Sequence, residues 1–372
     1  MNNKHMMKKI YIVISMALLG CSQEKLSDQS VVEANIVQRN YTELDTWIHN
    51  ELTLPYGIEV DYRWNGNTAQ KGSYTYPPEA ENVQKMLEAI KFLWLETYTL
   101  NNVGGSHFMK EKNPIKIYMY GGKNLDAHGV ELLANHTGTT AEMFLYNVND
   151  FDPKDYEKVY VLMRSVHHQF AKRLMELLPY ERDKFALISS GYVSDSKDLP
   201  SKEPIGRYIK KISDCSRDKD NTGFTYVISS EQDYQQARLG FFSVGKSIRT
   251  NEKLYSSDCE VARTSDVILT EGAIANRRGF FTIHSMLSPE DDFAEIVSAY
   301  LTHSSKEITD AITLGGTSIS GTADEEQEVR VAKEQLLKKQ AFVEEYFKKE
   351  VKINLKRMQL LSVQRIKSFV NR

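Results

Sequence analysis

Val166-His167-His168-Gln169-Phe170-Ala171-Lys172-Arg173-Leu174 lies near the middle of the 372-residue chain. It falls inside a stretch, Tyr156 to Leu178, whose apolar spacing predicts a helix that closes before Pro179. Residues four apart share one helical face, so His168 and Lys172 point the same way and Gln169 lies one step round. Neighbours on a helix diverge by about 100°. His167 can therefore join His168 at a common ligand only with distortion.

The spacing invites comparison with His-Glu-x-x-His, where two imidazoles on one face hold Zn²⁺ and the intervening Glu is the general base. Here the first imidazole is His168, the base position holds Gln169 and the second ligand position holds Lys172. Gln has nearly the shape of Glu but cannot take a proton, and losing a general base costs about 10²–10⁴-fold in rate. A Lys ammonium has no lone pair to donate and repels a divalent cation. A second constellation, Glu290-Asp291-Asp292-Phe293-Ala294-Glu295, starts a predicted helix over 291–303 that Ser288-Pro289-Glu290 initiates. Glu295 would be the carboxylate ligand from a downstream helix. His168 and Glu295 make two ligands where catalytic zinc usually has three. The expectation is that Lys172 fills the metal volume and pairs with Glu295. The alternative is that His168, Gln169 and Lys172 are ordinary helix residues.

Around this segment the pattern is α+β. Alternation predicts a strand at 58–64, and further strands are expected at 114–120 and 142–148. Helical spacing predicts helices near 41–52, 78–98 and 324–348, and a basic amphipathic one from about Leu355. A small N-terminal sheet with helices, followed by a mostly helical C-terminal half, is the expected architecture.

The first twenty residues read as a lipoprotein signal peptide. Lys4, Lys8 and Lys9 precede a short apolar run, Ile10 to Leu19, and then Leu18-Leu19-Gly20-Cys21. Ten apolar residues are too few to span about 30 Å of hydrocarbon, so Cys21 is expected to be cleaved free and lipidated, palmitate included. Residues 21–40 read as a tether and 41–372 as the folded body, with 195–270 as an insertion. Removing 1–20 takes three lysines from 47 basic residues and leaves 44 against 50 acidic, a formal −6. That balance argues against a nucleic-acid partner. Cys215 and Cys259 remain, and either pair as a disulfide or stay as separate thiols.

Weaker candidates have simpler readings. His128 and His136 flank Glu131 without a definite helix, which favours surface histidines. Asp218 to Gly223 begins like a Ca²⁺ loop, but position twelve is Ser229 where a bidentate Glu is needed. Gly315 to Gly321 lacks the Gly-Lys-Ser/Thr of a phosphate loop. Tyr192 either donates to an oxyanion or packs in the core.

Taken in order, several fragments resemble the substrate import-associated zinc metallohydrolase lipoproteins of Bacteroidetes, a branch of the zinc-binding metallopeptidases. They are Leu44-Asp45, Pro55 to Trp64, Phe108-Met109-Lys110, Leu145 to Asn149, the His168 helix, Ile188 to Val193, Gly279 to Thr282 and Asp292 to Glu295. The resemblance implies a zincin-like, gluzincin-type fold with zinc as cofactor, His168 and Glu295 at ligand positions, and Gln169 at the base position. It also implies lipid anchorage at the outer membrane on its periplasmic or surface face. The implied partners are a TonB-dependent transporter, its substrate-binding lipoprotein, and a peptide- or glycan-derived substrate. Three functions stay open: a pseudoenzyme that only binds, a working metallohydrolase with an altered ligand set, or a structural subunit of an import complex.

Overall fold

A computed structural model describes residues 41–63, 75–125, 139–199, 271–316 and 323–372. Residues 41–45 open a short helix, Glu43–Ile48, whose start is capped reciprocally by Thr42 and Asp45. The chain from Thr46 onward forms one unit. Its sheet has three parallel strands in the order β1 (Glu59–Asp61), β2 (Lys116–Met119), β3 (Glu142–Leu145). Val60 pairs with Ile117, and Tyr118 with Phe144. All three expected strands form, β1 and β2 shorter than expected at both ends and β3 at its C-terminal end.

Parallel strands need crossovers, and helices supply the one between β1 and β2. The first is α1 (Ala80–Ile90), which runs on through a wide turn to Thr99 and buries Val83, Leu87, Ile90 and Trp94. A short α2 (Phe108–Lys112) leads into β2. After β3 the chain enters α3 (Tyr156–Leu177), capped by Asp155, whose side chain accepts from the Glu157 N–H at 2.9 Å. This helix is the spine of the fold. Its Phe170 meets Trp94 and Tyr98 edge-on at 5.2 and 5.1 Å, locking it beneath α1.

Beyond α3 the described residues are mainly helical. They comprise α4 (Arg182–Ala186), α5 (Glu271–Arg277), α6 (Pro289–Thr302), α7 (Ser305–Gly315), α8 (Ala323–Tyr346) and α9 (Leu355–Val370). Helix α6 is buried along its length and packs mainly on α3, with α8 and α9 on its other sides. Phe185, Phe293, Phe342 and Tyr346 form an edge-to-face aromatic cluster between α4, α6 and α8. The Tyr346 hydroxyl at its rim donates to the Leu174 carbonyl at 3.0 Å, which ties α8 to the end of α3. Helices α2, α4, α5 and α7 fall where the residues show no long helical periodicity. All four are 11 residues or shorter, so packing decides them more than propensity.

Candidate metal-site region

Ser288 and Pro289 start α6 in the manner the sequence suggests. The Ser288 Oγ accepts from the Asp291 N–H at 3.0 Å and donates to Asp291 Oδ2 at 2.7 Å, with Pro289 in the first turn. Glu290, Asp291 and Asp292 occupy that first turn, where carboxylates complement the helix dipole. The register then turns Asp291 and Glu295, four apart, toward α3.

The His168 face of α3 meets them. His168 Nδ1 lies 2.7 Å from Glu295 Oε1, and its Nε2 lies 3.5 Å from Asp291 Oδ1. Arg164, one turn before His168, donates to Glu295 Oε2, to which Thr282 Oγ1 also donates at 2.8 Å. Lys172, one turn after His168, lies 2.6 Å from Asp291 Oδ1. Three cationic or cation-forming groups spaced four apart on one helix thus face two carboxylates spaced four apart on the other. Arg164 and Glu295 are buried, and Lys172 keeps a fifth of its side chain exposed.

The expected Lys172–Glu295 pair does not form. Arg164, His168 and Thr282 already satisfy the oxygens of Glu295, and the lysine lies two turns beyond Arg164, opposite the earlier carboxylate. His167 does not join the cluster. It packs against Tyr98 with both ring nitrogens buried and without a hydrogen-bond partner. Burial pushes its pKa down to about 3, so it is neutral.

Glu295 is the anionic anchor. Burial would raise its pKa, but the Arg164 charge, the His168 hydrogen bond and the His168 and His284 charges hold it well below the usual carboxylate range. Burial would likewise lower His168. Its hydrogen bonds to Asp291 and Glu295, with the Glu295 charge, carry it above its ordinary value.

Gln169 points toward the sheet. Its Oε1 accepts from the Phe144 N–H at 2.8 Å, and its Nε2 donates to the Phe144 carbonyl at 2.8 Å and to Ser165 Oγ at 3.1 Å.

Beside this network lies a second buried pair. Lys339 of α8 reaches Asp292 Oδ2 and the Gly279 carbonyl, each at 2.7 Å, with its ammonium 3.7 Å from the centre of the Phe280 ring. Tyr192 donates to the same Asp292 oxygen at 3.0 Å, so it serves this pair and rests on Phe280. Burial pushes Asp292 up and Lys339 down, and their mutual attraction offsets part of each shift. Gly279 is required here: its φ is +78°, and a Cβ would run into the Gln335 side chain.

These contacts test the fit of a zinc ion. Both His168 nitrogens face carboxylates, Glu295 is engaged at both oxygens, and the i+4 position presents an ammonium. Among the described residues no group of three or more His, Cys, Asp or Glu side chains gathers as metal ligands do. As folded, the residues present do not fit a zinc centre.

Sequence reasoning missed Arg164, Thr282 and Lys339. Arg164 carried a signal, since it sits four before His168 on the same face; the other two carried none. Cys21, Cys215 and Cys259 lie outside the described residues, as do His128, Glu131, His136 and Asp218 to Ser229. Of the expected insertion at 195–270, the structure describes residues 195–199 alone.

A long helix packed on a second, buried helix beside a small parallel sheet makes this an α+β architecture. The chain is similar to the crystal structure of a protein described as a putative zinc-binding metallo-peptidase from Bacteroides caccae ATCC 43185. The TM-score is 0.53 at 17% identity, covering 93% of this chain and 97% of that one. The family profile described as "putative zinc-binding metallo-peptidase" matches residues 37–356, and the chain belongs to that family. No curated protein sequence matches it.

Proposed function

We propose that this chain is a non-catalytic member of its zinc-binding family, in which side-chain cations hold the helix pair that a metal would otherwise join. One observation carries the reading. The face where a second imidazole would stand presents Lys172 bonded to Asp291, while His168 and Glu295 satisfy each other. Breaking these contacts to admit Zn²⁺ would strand the buried Arg164 charge, which makes exchange for a metal unfavourable. Gln169 adds to this, because its amide is committed to Phe144 and offers no proton acceptor of carboxylate basicity to a substrate water.

The cellular setting rests on the sequence. The Leu18-Leu19-Gly20-Cys21 signal supports an outer-membrane lipoprotein anchored at Cys21, accessory to TonB-dependent nutrient import, holding a peptide- or glycan-derived ligand or a partner lipoprotein. Among the described residues no helix is long and apolar enough to cross a membrane. The deciding experiment is a peptidase assay of the wild type beside the Gln169→Glu/Lys172→His double variant, with and without added Zn²⁺. No hydrolysis by the wild type is expected under either condition. Turnover by the wild type that zinc stimulates and a chelator abolishes would return the chain to the working metallohydrolases.

A further inference from the structure

Among the described residues strand β3 is one of the two edge strands of the sheet, β1 being the other. Its residues alternate in where their backbone groups point. Leu145 faces inward, its carbonyl accepting from the Tyr120 N–H at 2.8 Å. Phe144 faces outward. An outward N–H and C=O on an edge strand form a template for another extended chain. Here the Gln169 carboxamide takes both groups at 2.8 Å each, making the donor–acceptor pair that one residue of an added strand would make. The next outward position is also used, since the Glu142 N–H donates to the Thr139 carbonyl at 3.2 Å. Further along α3, Arg173 and Glu176 both reach Thr140, just before the strand. Helix α3 therefore runs along the edge and covers it.

We propose that Gln169 is a strand surrogate that closes the outer edge of the sheet at Phe144 and bars an extended peptide from adding to β3. The chemistry selects Gln. A carboxylate accepts from the Phe144 N–H but sets its second oxygen against the Phe144 carbonyl; an amide satisfies both. The inference is independent of whether zinc binds, and it narrows what this face can hold. A ligand that engages it does so through its own side groups, without a main-chain ladder to Phe144.

The test is backbone hydrogen exchange of the full-length protein over residues 142–146, with and without an alternating valine–threonine decapeptide flanked by lysines. In the wild type the Phe144 amide is protected and the peptide changes nothing. In Gln169→Ala that amide exchanges faster by roughly tenfold or more, the protection of about one net hydrogen bond, and the peptide restores it. Peptide-dependent protection in the wild type overturns the proposal. So does an unchanged Phe144 amide in Gln169→Ala, or an opened one that the peptide leaves exposed. Should Gln169→Ala not fold, Gln169→Asn decides by the same exchange measurement, its amide being one methylene too short to reach both Phe144 groups. A Phe144 amide as protected in Gln169→Asn as in the wild type overturns the assignment.

Discussion

Lys172 bonds Asp291 at 2.6 Å, and so the positive charge at the position of a second zinc-binding imidazole rests one turn away from Glu295. This displaced pairing divides the cluster into two parts. Arg164, His168 and Glu295 form a dry inner group, while Lys172 and Asp291 form an outer pair that water reaches through the lysine.

The inner group should be the costlier to break. Arg164→Met leaves Glu295 buried beside one imidazole, and about 3–5 kcal/mol of stability should be lost. The Arg164→Met/Glu295→Met double variant should recover a large part of that loss, with a coupling of at least about 1 kcal/mol in a denaturant-unfolding cycle. Additive losses would mean that the two residues act separately.

The outer pair should behave more mildly. In Lys172→Met, Asp291 keeps His168 and Ser288, and the lost pair was partly solvated, so about 1–2 kcal/mol is expected. The same cycle should couple Lys172→Met to Asp291→Asn and leave it nearly additive with Glu295→Gln. Coupling to Glu295 instead would restore the pairing that the sequence suggested.

His167 supplies a pH signature. Its folded pKa of about 3 lies below the ordinary 6.5, so the unfolded chain binds a proton that the folded chain refuses between those values. Stability is therefore lost as pH falls from about 6.5 toward 3, at close to 1.4 kcal/mol per pH unit for that one group. His303, pushed to about 3 by burial and the Arg164 charge, acts in the same sense. His168, raised by its carboxylate partners, acts in the opposite sense, its contribution being lost as pH rises through its folded value. His167→Leu removes one group alone. The acid slope of urea-unfolding stability should fall by one proton's worth, with no loss at pH 7 because two unsatisfied nitrogens also disappear. An unchanged slope would show that His167 is protonated in the fold.

Much of this was legible in the chain. Pro179 marks the end of α3, and Ser288 and Pro289 mark the start of α6, because caps and proline act locally. The 2-residue and 3.6-residue periods located the first strand and the longer helices. The four-residue spacing put His168 and Lys172 on one face, and Glu295 on the helix that meets it. The partner of each charge was not legible. It depends on the axial register of α6 against α3, which is decided by packing between segments far apart in sequence. Gln169 shows the same limit. In sequence it stands where a general base would be, yet its amide partners a strand whose outer edge becomes visible only once the sheet is assembled. Lys339 is hidden for a related reason: it sits in a highly charged helix and is buried only because Asp292 and Gly279 lie opposite.

The account turns on whether side-chain cations stand in for a metal, and zinc content measures this directly. Full-length protein purified without chelator, incubated with excess Zn²⁺ and desalted, should carry far less than one zinc per chain by elemental analysis. About one zinc per chain surviving desalting, and lost from His168→Ala, would contradict it.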